Sequence, residues 1–264
     1  IKLDAAGDVL RTTSILPGLK DRYPDSQLTW ITARSSLPIL SNNPYLDRIL
    51  PLQPDGLLEA LSREYSLSIN LDTAPRSCAL HKLVRSQEKL GFSLNDRGAV
   101  VALSPPAQEW LQMSVFDDVK KKNQKTCQTI MREIVDLPPP DGKIILKLTP
   151  SEEEFARQFA RRNRLRKNTI KIGFNTGAGR RWRYKKWKKE NTLDLIRLCA
   201  RLPRVDLLLY GGPEERDRNR WLVERSPEDL IDTGTDNSIR QFFGLLNLCD
   251  ILVTSDTLAL HAAA

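Results

Sequence analysis

Residues 169–176 read TIKIGFNT, an apolar, β-rich run that ends in Asn175 and Thr176 and opens onto the small residues Gly177, Ala178 and Gly179. A short apolar run closed by turn formers is a strand of the kind buried in a parallel sheet. The same unit recurs downstream. NTLDLIRLCARL (191–202) has helical spacing, VDLLLYGG (205–212) is a strand, SIRQFFGLLNL (238–248) a helix, and DILVTSD (250–256) a strand. Strands of about six residues alternating with helices of about 10–15 predict a doubly wound parallel α/β sheet, whose ligands gather at the C-terminal ends of the strands.

The N-terminal half carries the same alternation. IKLD (1–4) reads as the end of a strand and VLRTTSILPGLKDRY (9–23) as a helix. QLTWIT (27–32) is a strand, and SSLPILSNNPYLDRILPL (35–52) a helix, a turn and a short strand. GLLEALSREY (56–65) is helical and LSINLD (67–72) an apolar strand, so Asp8 and Asp72 both lie just past a strand. The Pro-rich DLPPPDGKIILKLTP (136–150) breaks the pattern, and SEEEFARQFARRNRLRK (151–167) begins with the Ser-x-x-Glu of a capping box, Ser151 as N-cap. Two domains are therefore expected, 1–150 and 151–264. The chain opens inside a strand and closes at HAAA, within a helix just starting, so the C-terminal domain is expected to be incomplete.

At 264 residues the chain buries enough surface to need no staples. Cys78, Cys127, Cys199 and Cys249 form no CxxC pair, and with only His81 and His261 beside them no zinc-type cluster arises from neighbouring residues. The cysteines read as reduced thiols of a cytoplasmic protein. The sequence is read as that of a protein without a signal peptide, and no apolar run in it approaches the roughly 18 residues of a membrane span. Any membrane role is peripheral.

The net charge of +8 is local. Fourteen of the 41 Lys and Arg lie between Phe155 and Lys189 with no Asp or Glu among them, which leaves 27 basic against 33 acidic residues elsewhere. Such a belt fits a phosphate-rich partner (nucleic acid, nucleotide or anionic lipid), or, over Arg157–Lys167, a solvated helix face.

Four stretches could carry chemistry. In GDVLRTTSIL (7–16), Asp8 precedes an apolar-periodic run, as an N-cap does, and it also stands where a general base would. FNTGAGRRWRYKKW (174–187) offers small residues for close anion approach and then a run of cations, without P-loop or GxGxxG spacing. YGGPEE (210–215) places paired glycines after a buried strand, and Glu214 or Glu215 could take ribose hydroxyls or merely open a helix. VTSDTLALH (253–261) delivers Ser255, Asp256 and Thr257 to a strand end, with His261 one turn along, either as a sugar-phosphate site or as a helix cap and a core histidine. His81 in CALHKLV (78–84) reads as structural.

In this order and over nearly the whole chain, including MSVFDDVKKKNQKTCQTIMREI (113–134), these motifs resemble glycosyltransferase family 9, the ADP-heptose:lipopolysaccharide heptosyltransferases. The resemblance implies a GT-B fold of two Rossmann-like domains facing across a cleft, acceptor in the N-terminal half and nucleotide sugar in the C-terminal half. It implies inverting transfer of heptose from ADP-heptose to the lipopolysaccharide inner core or a lipid A precursor, with no cofactor and no metal. The lack of a DxD pair is consistent with that. By motif position Asp8 would be the general base and Lys185 would hold the diphosphate. Thr176 and Gly177 would line the phosphate loop, Glu215 would meet the ribose, and Ser255, Asp256, Thr257 and His261 would surround the donor sugar and phosphates.

Two departures stand out: Leu258 replaces the Gly of the D-T-G that many members carry, and Lys188 stands where Pro commonly comes after the Trp. The enzyme would work in the cytoplasm, peripherally at the inner face of the cytoplasmic membrane. Three alternatives remain open: the same fold with another nucleotide sugar, a non-catalytic sugar-nucleotide-binding paralogue, and a nucleic-acid binder using Trp182, Tyr184 and Trp187 among the cations.

Overall fold

A computed structural model describes residues 1–139, 142–179, 183–226 and 229–264, without the side chain of Arg183. Arg180, Arg181 and Trp182 of the cationic motif, and Pro140 and Asp141 of the Pro-rich break, lie outside the described residues. The chain divides into two compact units, Ile1–Leu146 and Lys147–Ala264.

The first unit holds strands β1 (Thr29–Thr32), β2 (Arg48–Pro51), β3 (Glu64–Asn70), β4 (Arg85–Leu94) and β5 (Val100–Ala102). Its helices are α1 (Ala6–Thr12), α2 (Leu16–Arg22), α3 (Leu37–Leu40), α4 (Pro54–Leu61), α5 (Pro75–Leu83), α6 (Pro105–Val115), α7 (Asp117–Lys122) and α8 (Cys127–Ile134). β1 pairs with β2, and β3 with β4, both in parallel. Ile1–Leu3 lies between the two pairs: Lys2 N donates to Ile31 O, Leu3 O accepts from Ala33 N, and Ile1 O accepts from Leu71 N. These residues therefore join β1 to β3. The chain leaves them to build β1 and β2 on one side, then returns to build β3 and β4 on the other. The reversal sits between Ile1–Leu3 and β3, where such sheets open a crevice. Leu3, Ile31, Leu50, Ala60, Leu80 and Val84 pack as the core beneath.

The hairpin β4–β5 has no counterpart in the alternation read from sequence. Arg85, Glu88 and Lys89 interrupt its apolar pattern, and its turn is set by Asn95, whose Oδ1 accepts from the amides of Arg97 and Ala99, with Gly98 at φ 77°.

His81 is fully buried on α5. Its Nδ1 lies 2.8 Å from Phe92 O, and its Nε2 lies 3.0 Å from Ser68 Oγ and 3.2 Å from Ser68 O, so both ring nitrogens have partners inside the fold. Burial pulls its pKa from the ordinary 6.5 down to about 4. Between those values the unfolded chain takes up a proton that the folded chain refuses. The contribution is therefore complete above pH 6.5 and lost as pH falls toward 4, and it amounts to about 3 kcal/mol. Urea midpoints of the first unit are expected to fall from pH 7 to 4.5 in the wild type. In His81→Gln, which keeps a donor and an acceptor but does not titrate there, that component should vanish; an unchanged pH slope would contradict this account.

The second unit holds α9 (Pro150–Arg162), β6 (Ile170–Asn175), α10 (Lys189–Ala200), β7 (Val205–Tyr210), α11 (Arg216–Val223), β8 (Leu230–Asp232), α12 (Ile239–Leu246), β9 (Ile251–Val253) and α13 (Leu258–Ala263). Its four strands run parallel in the order β8-β7-β6-β9. Every residue of β7 is buried, as a strand covered on both faces requires. Leu207 and Leu209 face a core with Leu193, Ile196 and Leu222, while Leu208 and Tyr210 face Phe159, Leu245 and Leu246. Helices thus cover both faces of the sheet, and the doubly wound reading holds.

The first cap of this unit differs from the reading by two residues. Thr149, not Ser151, is the N-cap of α9: its hydroxyl accepts from Glu152 N, and Glu152 Oε2 accepts from Thr149 N at 2.8 Å. Pro150 explains the shift, because its fixed φ suits the first helical position and places the cap one residue before it. Cys78 is buried, the other three cysteines are half-buried, and all four are free thiols.

Candidate active site

In the second unit the chain builds β6, β7 and β8 outward in one direction and then returns to lay β9 on the other side of β6. The switch between β6 and β9 opens a crevice at their C-terminal ends. Asn175 closes β6 there, and its Nδ2 donates to Thr254 Oγ1 (2.9 Å) and Thr257 Oγ1 (3.3 Å) beyond β9. Thr257 is also the N-cap of α13, accepting from Ala259 N.

Against this crevice lies the segment 183–188, tied down at four points. Ser255 Oγ donates to Lys185 O at 2.8 Å, and Lys185 Nζ meets Asp256 Oδ2 at 2.5 Å. Lys186 Nζ meets Glu215 Oε1 at 3.0 Å. Arg218 Nη2 donates to Trp187 O and to Thr192 Oγ1; burial lowers the pKa of this guanidinium. Asp256 Oδ1 in turn faces His261 Nε2 at 3.7 Å. Lys185, Ser255, Asp256, Thr257 and His261, expected from sequence to share a site, are thus brought together.

Glu215 joins them through Lys186. Only 6% exposed, its carboxylate also accepts from Gly212 N at 3.2 Å. A Cβ on Gly177 would lie 3.3 Å from that carboxylate, and one on Gly211 would lie 2.7 Å from Asn219 Nδ2, so both glycines leave room that side chains would take. Thr176 is placed differently from the expectation that it lines a phosphate loop. Its side chain is turned inward, with Oγ1 donating to Asn219 Oδ1 at 2.6 Å, because the residue is buried against the end of β7 and its hydroxyl needs an internal acceptor.

Lys186, Asn175, Arg218 and Asn219 were not singled out from sequence. Lys186 had a signal, the doubled Lys before Trp187. The expected cost of removing it is readable in stability. Lys186→Met leaves the buried Glu215 without its cation and should destabilise the second unit by about 1–3 kcal/mol in chemical denaturation. Adding Glu215→Gln should recover most of that loss, and failure to recover it would deny the pairing.

The first unit has its own cluster at its own switch point. Asp72, at the end of β3, accepts from Leu3 N (3.2 Å) and Ala74 N (3.3 Å), and Asp4 is ion-paired with Arg76. Asp8 is not the N-cap. Helix α1 begins at Ala6 with Ala5 as an N-cap without a side-chain bond, so Asp8 sits third in the first turn. There its charge faces the positive end of the helix dipole. Its Oδ1 takes Arg11 Nη2 at 2.6 Å, and its side chain stays 41% exposed. Oδ2 carries no hydrogen bond among the described residues.

The family model for glycosyltransferase family 9 (heptosyltransferase) matches residues 56–264. The chain belongs to glycosyltransferase family 9. It is similar to the lipopolysaccharide core heptosyltransferase OpsX of Haemophilus influenzae, 20% identical over all of this chain and 74% of that protein. It is also similar to lipopolysaccharide heptosyltransferase 1 of Campylobacter coli, 21% identical over all of this chain and 79% of that protein. Among solved structures, a family 9 glycosyl transferase from Veillonella parvula superposes with a TM-score of 0.79 at 18% identity, over 99% of this chain and 76% of that one. Heptosyltransferase WaaC of E. coli with ADP superposes at 0.70 and 17% identity, over 100% of this chain and 84% of that one. This family 9 member is a glycosyltransferase with the two Rossmann-like units of a GT-B fold. Among the described residues, no group of three or more His, Cys, Asp or Glu is placed to hold a metal ion, and no helix is long and apolar enough to cross a membrane.

Proposed function

We propose that this chain transfers heptose from ADP-heptose to the inner core of lipopolysaccharide, or to a lipid A precursor of it, by direct inverting displacement without a metal or other cofactor. The observation that carries the reading is the clamped cation Lys185, held with Asp256, Ser255 and His261 at the switch point of the second unit. The relatives named for lipopolysaccharide heptosyl transfer, and WaaC with ADP, support heptose and an adenine nucleotide as the donor.

Asp8, with Oδ2 unengaged, takes the proton of the acceptor hydroxyl as that oxygen attacks the anomeric carbon. The bond from that carbon to the diphosphate breaks, and the leaving ADP carries the electron pair away. Lys185 meets its growing charge. Asp256 and Lys185 are both more than a third exposed, and such a pair contributes only about 0–1 kcal/mol, so a diphosphate displaces Asp256 from Lys185 at little cost. Glu215 keeps acceptor sites beyond its bonds to Lys186 and Gly212 N, which suits ribose hydroxyls. Thr176 acts as a positioning residue, Gly177 lets the nucleotide approach, and Ser255, Thr257 and His261 border the sugar and phosphates. The enzyme works in the cytoplasm with no nucleic-acid partner, and touches the inner face of the membrane peripherally.

The test is ADP release from ADP-heptose with a lipid A-type acceptor, with and without a chelator. Faster turnover of another nucleotide sugar would replace the donor. Binding without release would make the chain a non-catalytic paralogue, and loss of rate with chelator would end the metal-free mechanism.

A further inference from the structure

Four ties hold the segment 183–188 against the crevice, and three of them use groups that the proposed function gives to the donor. In that reading Asp256 yields Lys185 to the diphosphate, Ser255 borders the sugar and phosphates, and Glu215 serves both Lys186 and the ribose. The fourth tie uses none of these. Arg218 Nη2 donates to Trp187 O at 2.5 Å and to Thr192 Oγ1, near the start of α10, at 3.2 Å. One guanidinium nitrogen thus joins the end of the segment to the helix that follows it. Its two hydrogens, fixed in a planar fork, serve both acceptors at once.

Packing alone does not explain this arginine. Arg218 is half-buried, its Nε is buried with no hydrogen-bond partner, and no carboxylate pairs with it among the described residues. Glu190 and Glu215 act on it only at a distance, and burial still lowers its pKa. An apolar side chain would fill the space without that desolvation. Neither acceptor depends on Arg218 for a partner. Trp187 is exposed, which leaves water for its carbonyl, and Thr192 Oγ1 also bonds Lys188 O at 3.0 Å. The neighbours of Arg218 on α11 reach the same way. Glu215, Arg218 and Asn219 are spaced i, i+3 and i+4, so they share one face. From it Glu215 meets Lys186, Arg218 meets Trp187 O, and Asn219 meets Thr176 Oγ1 and Tyr210 O at the ends of β6 and β7.

We infer that Arg218 is a positioning residue for the donor: by fixing Trp187 O it holds Lys185 and Lys186 ready for the nucleotide diphosphate, without touching the nucleotide itself. The inference rests on the proposed function, which gives Lys185 to the diphosphate. The tie stays closed when the diphosphate displaces Asp256, so the segment need not be ordered again as the donor arrives. Without it, part of the binding free energy goes into ordering the segment.

The test uses the full chain with Arg218→Gln, Arg218→Met and Arg218→Lys, and Arg220→Gln on the same helix as control. ADP affinity by calorimetry should fall about five- to thirtyfold in Arg218→Gln and Arg218→Met, the equivalent of ordering one backbone residue. Arg218→Lys keeps a donor for one acceptor and should recover part of the loss. With ADP-heptose as donor, KM should rise by a similar factor while kcat stays within about threefold of wild type, because a bound diphosphate orders the segment through Lys185. Thermal melting of Arg218→Met should match wild type, which separates this role from a structural one. Tryptic nicking after Lys185, Lys186 or Lys188 in the ligand-free proteins should be faster in Arg218→Gln and Arg218→Met, and unchanged in Arg220→Gln. In a Lys185→Ala background, Arg218→Gln should cost less than about twofold in further ADP affinity, as expected of a residue that acts through Lys185. Wild-type ADP affinity in both Arg218→Gln and Arg218→Met overturns the inference alone. So does a fully additive loss in the Lys185→Ala background, which would put Arg218 on the nucleotide itself. Wild-type protein that binds no ADP overturns the proposed function and takes this inference with it.

Discussion

Lys185→Ala should weaken ADP binding by about 10- to 150-fold, the equivalent of a charge-assisted contact of roughly 1.5–3 kcal/mol. The site is partly solvated, so the lower half of that range is the better expectation. The neighbours make the experiment sharper. In the wild type, Asp256 Oδ2 lies 2.5 Å from Lys185 Nζ, so removing the ammonium takes away the cation that stands between this carboxylate and the incoming diphosphate. Part of the loss is therefore repulsion by Asp256, and Lys185→Ala/Asp256→Ala should recover some affinity relative to the single variant. That non-additivity is the mark of two groups sharing one ligand. Arg161→Ala, on α9 and away from the crevice, is the control and should leave ADP affinity unchanged. Calorimetry on wild type, these three variants and Asp256→Ala alone decides. Equal affinities for wild type and Lys185→Ala would remove Lys185 from the site, and strict additivity would remove Asp256 from its neighbourhood.

The parts of this arrangement that could be read from sequence are those fixed by local chemistry. Strands such as IKIGFN and VDLLLY are apolar over a length that only a covered parallel strand explains, and both lie where read. The hairpin β4–β5 escaped because its first strand is edged with charge and its pairing is set by a turn built on Asn95. Cap positions failed by a few residues. Pro150 moved one cap back to Thr149. At the other, Ala5, Ala6 and Gly7 let α1 start before its apolar periodicity begins at Val9, which turned an apparent N-cap aspartate into a first-turn one. Strand ends told where side chains gather, but not which way each one points. Thr176 and Lys185 lie on the same β–α connection, yet one hydroxyl is spent inside on Asn219 while the ammonium reaches Asp256 across 71 positions of chain. Choices of that kind depend on partners distant in sequence, which no local pattern records.

Asp8→Asn is expected to lower turnover by about two to four orders of magnitude while leaving fold and donor affinity close to wild type. The amide keeps the shape of the carboxylate and can still offer an oxygen to Arg11, but it cannot take the proton of an attacking hydroxyl. Stability should change by less than about 1 kcal/mol. The Asp8–Arg11 pair is an i,i+3 pair on a partly exposed surface, and the helix-dipole contribution at this position is of similar size. Since Ala5 and not Asp8 is the N-cap, Asp8→Ala should be little worse than Asp8→Asn in thermal melting. A true N-cap would separate the two, because asparagine caps nearly as well as aspartate and alanine does not. Donor affinity should hold in both variants, since the groups proposed to grip ADP belong to the other unit. Arg11→Gln completes the set: it frees Oδ1 without touching the base, so it should lower kcat far less than Asp8→Asn and leave the melting temperature nearly alone. Near-wild-type turnover for Asp8→Asn would move the base elsewhere. Asp72 would be a poor successor, because its two oxygens already accept the amides of Leu3 and Ala74, and a carboxylate held that way is a brace for the strand ends before it is a proton acceptor.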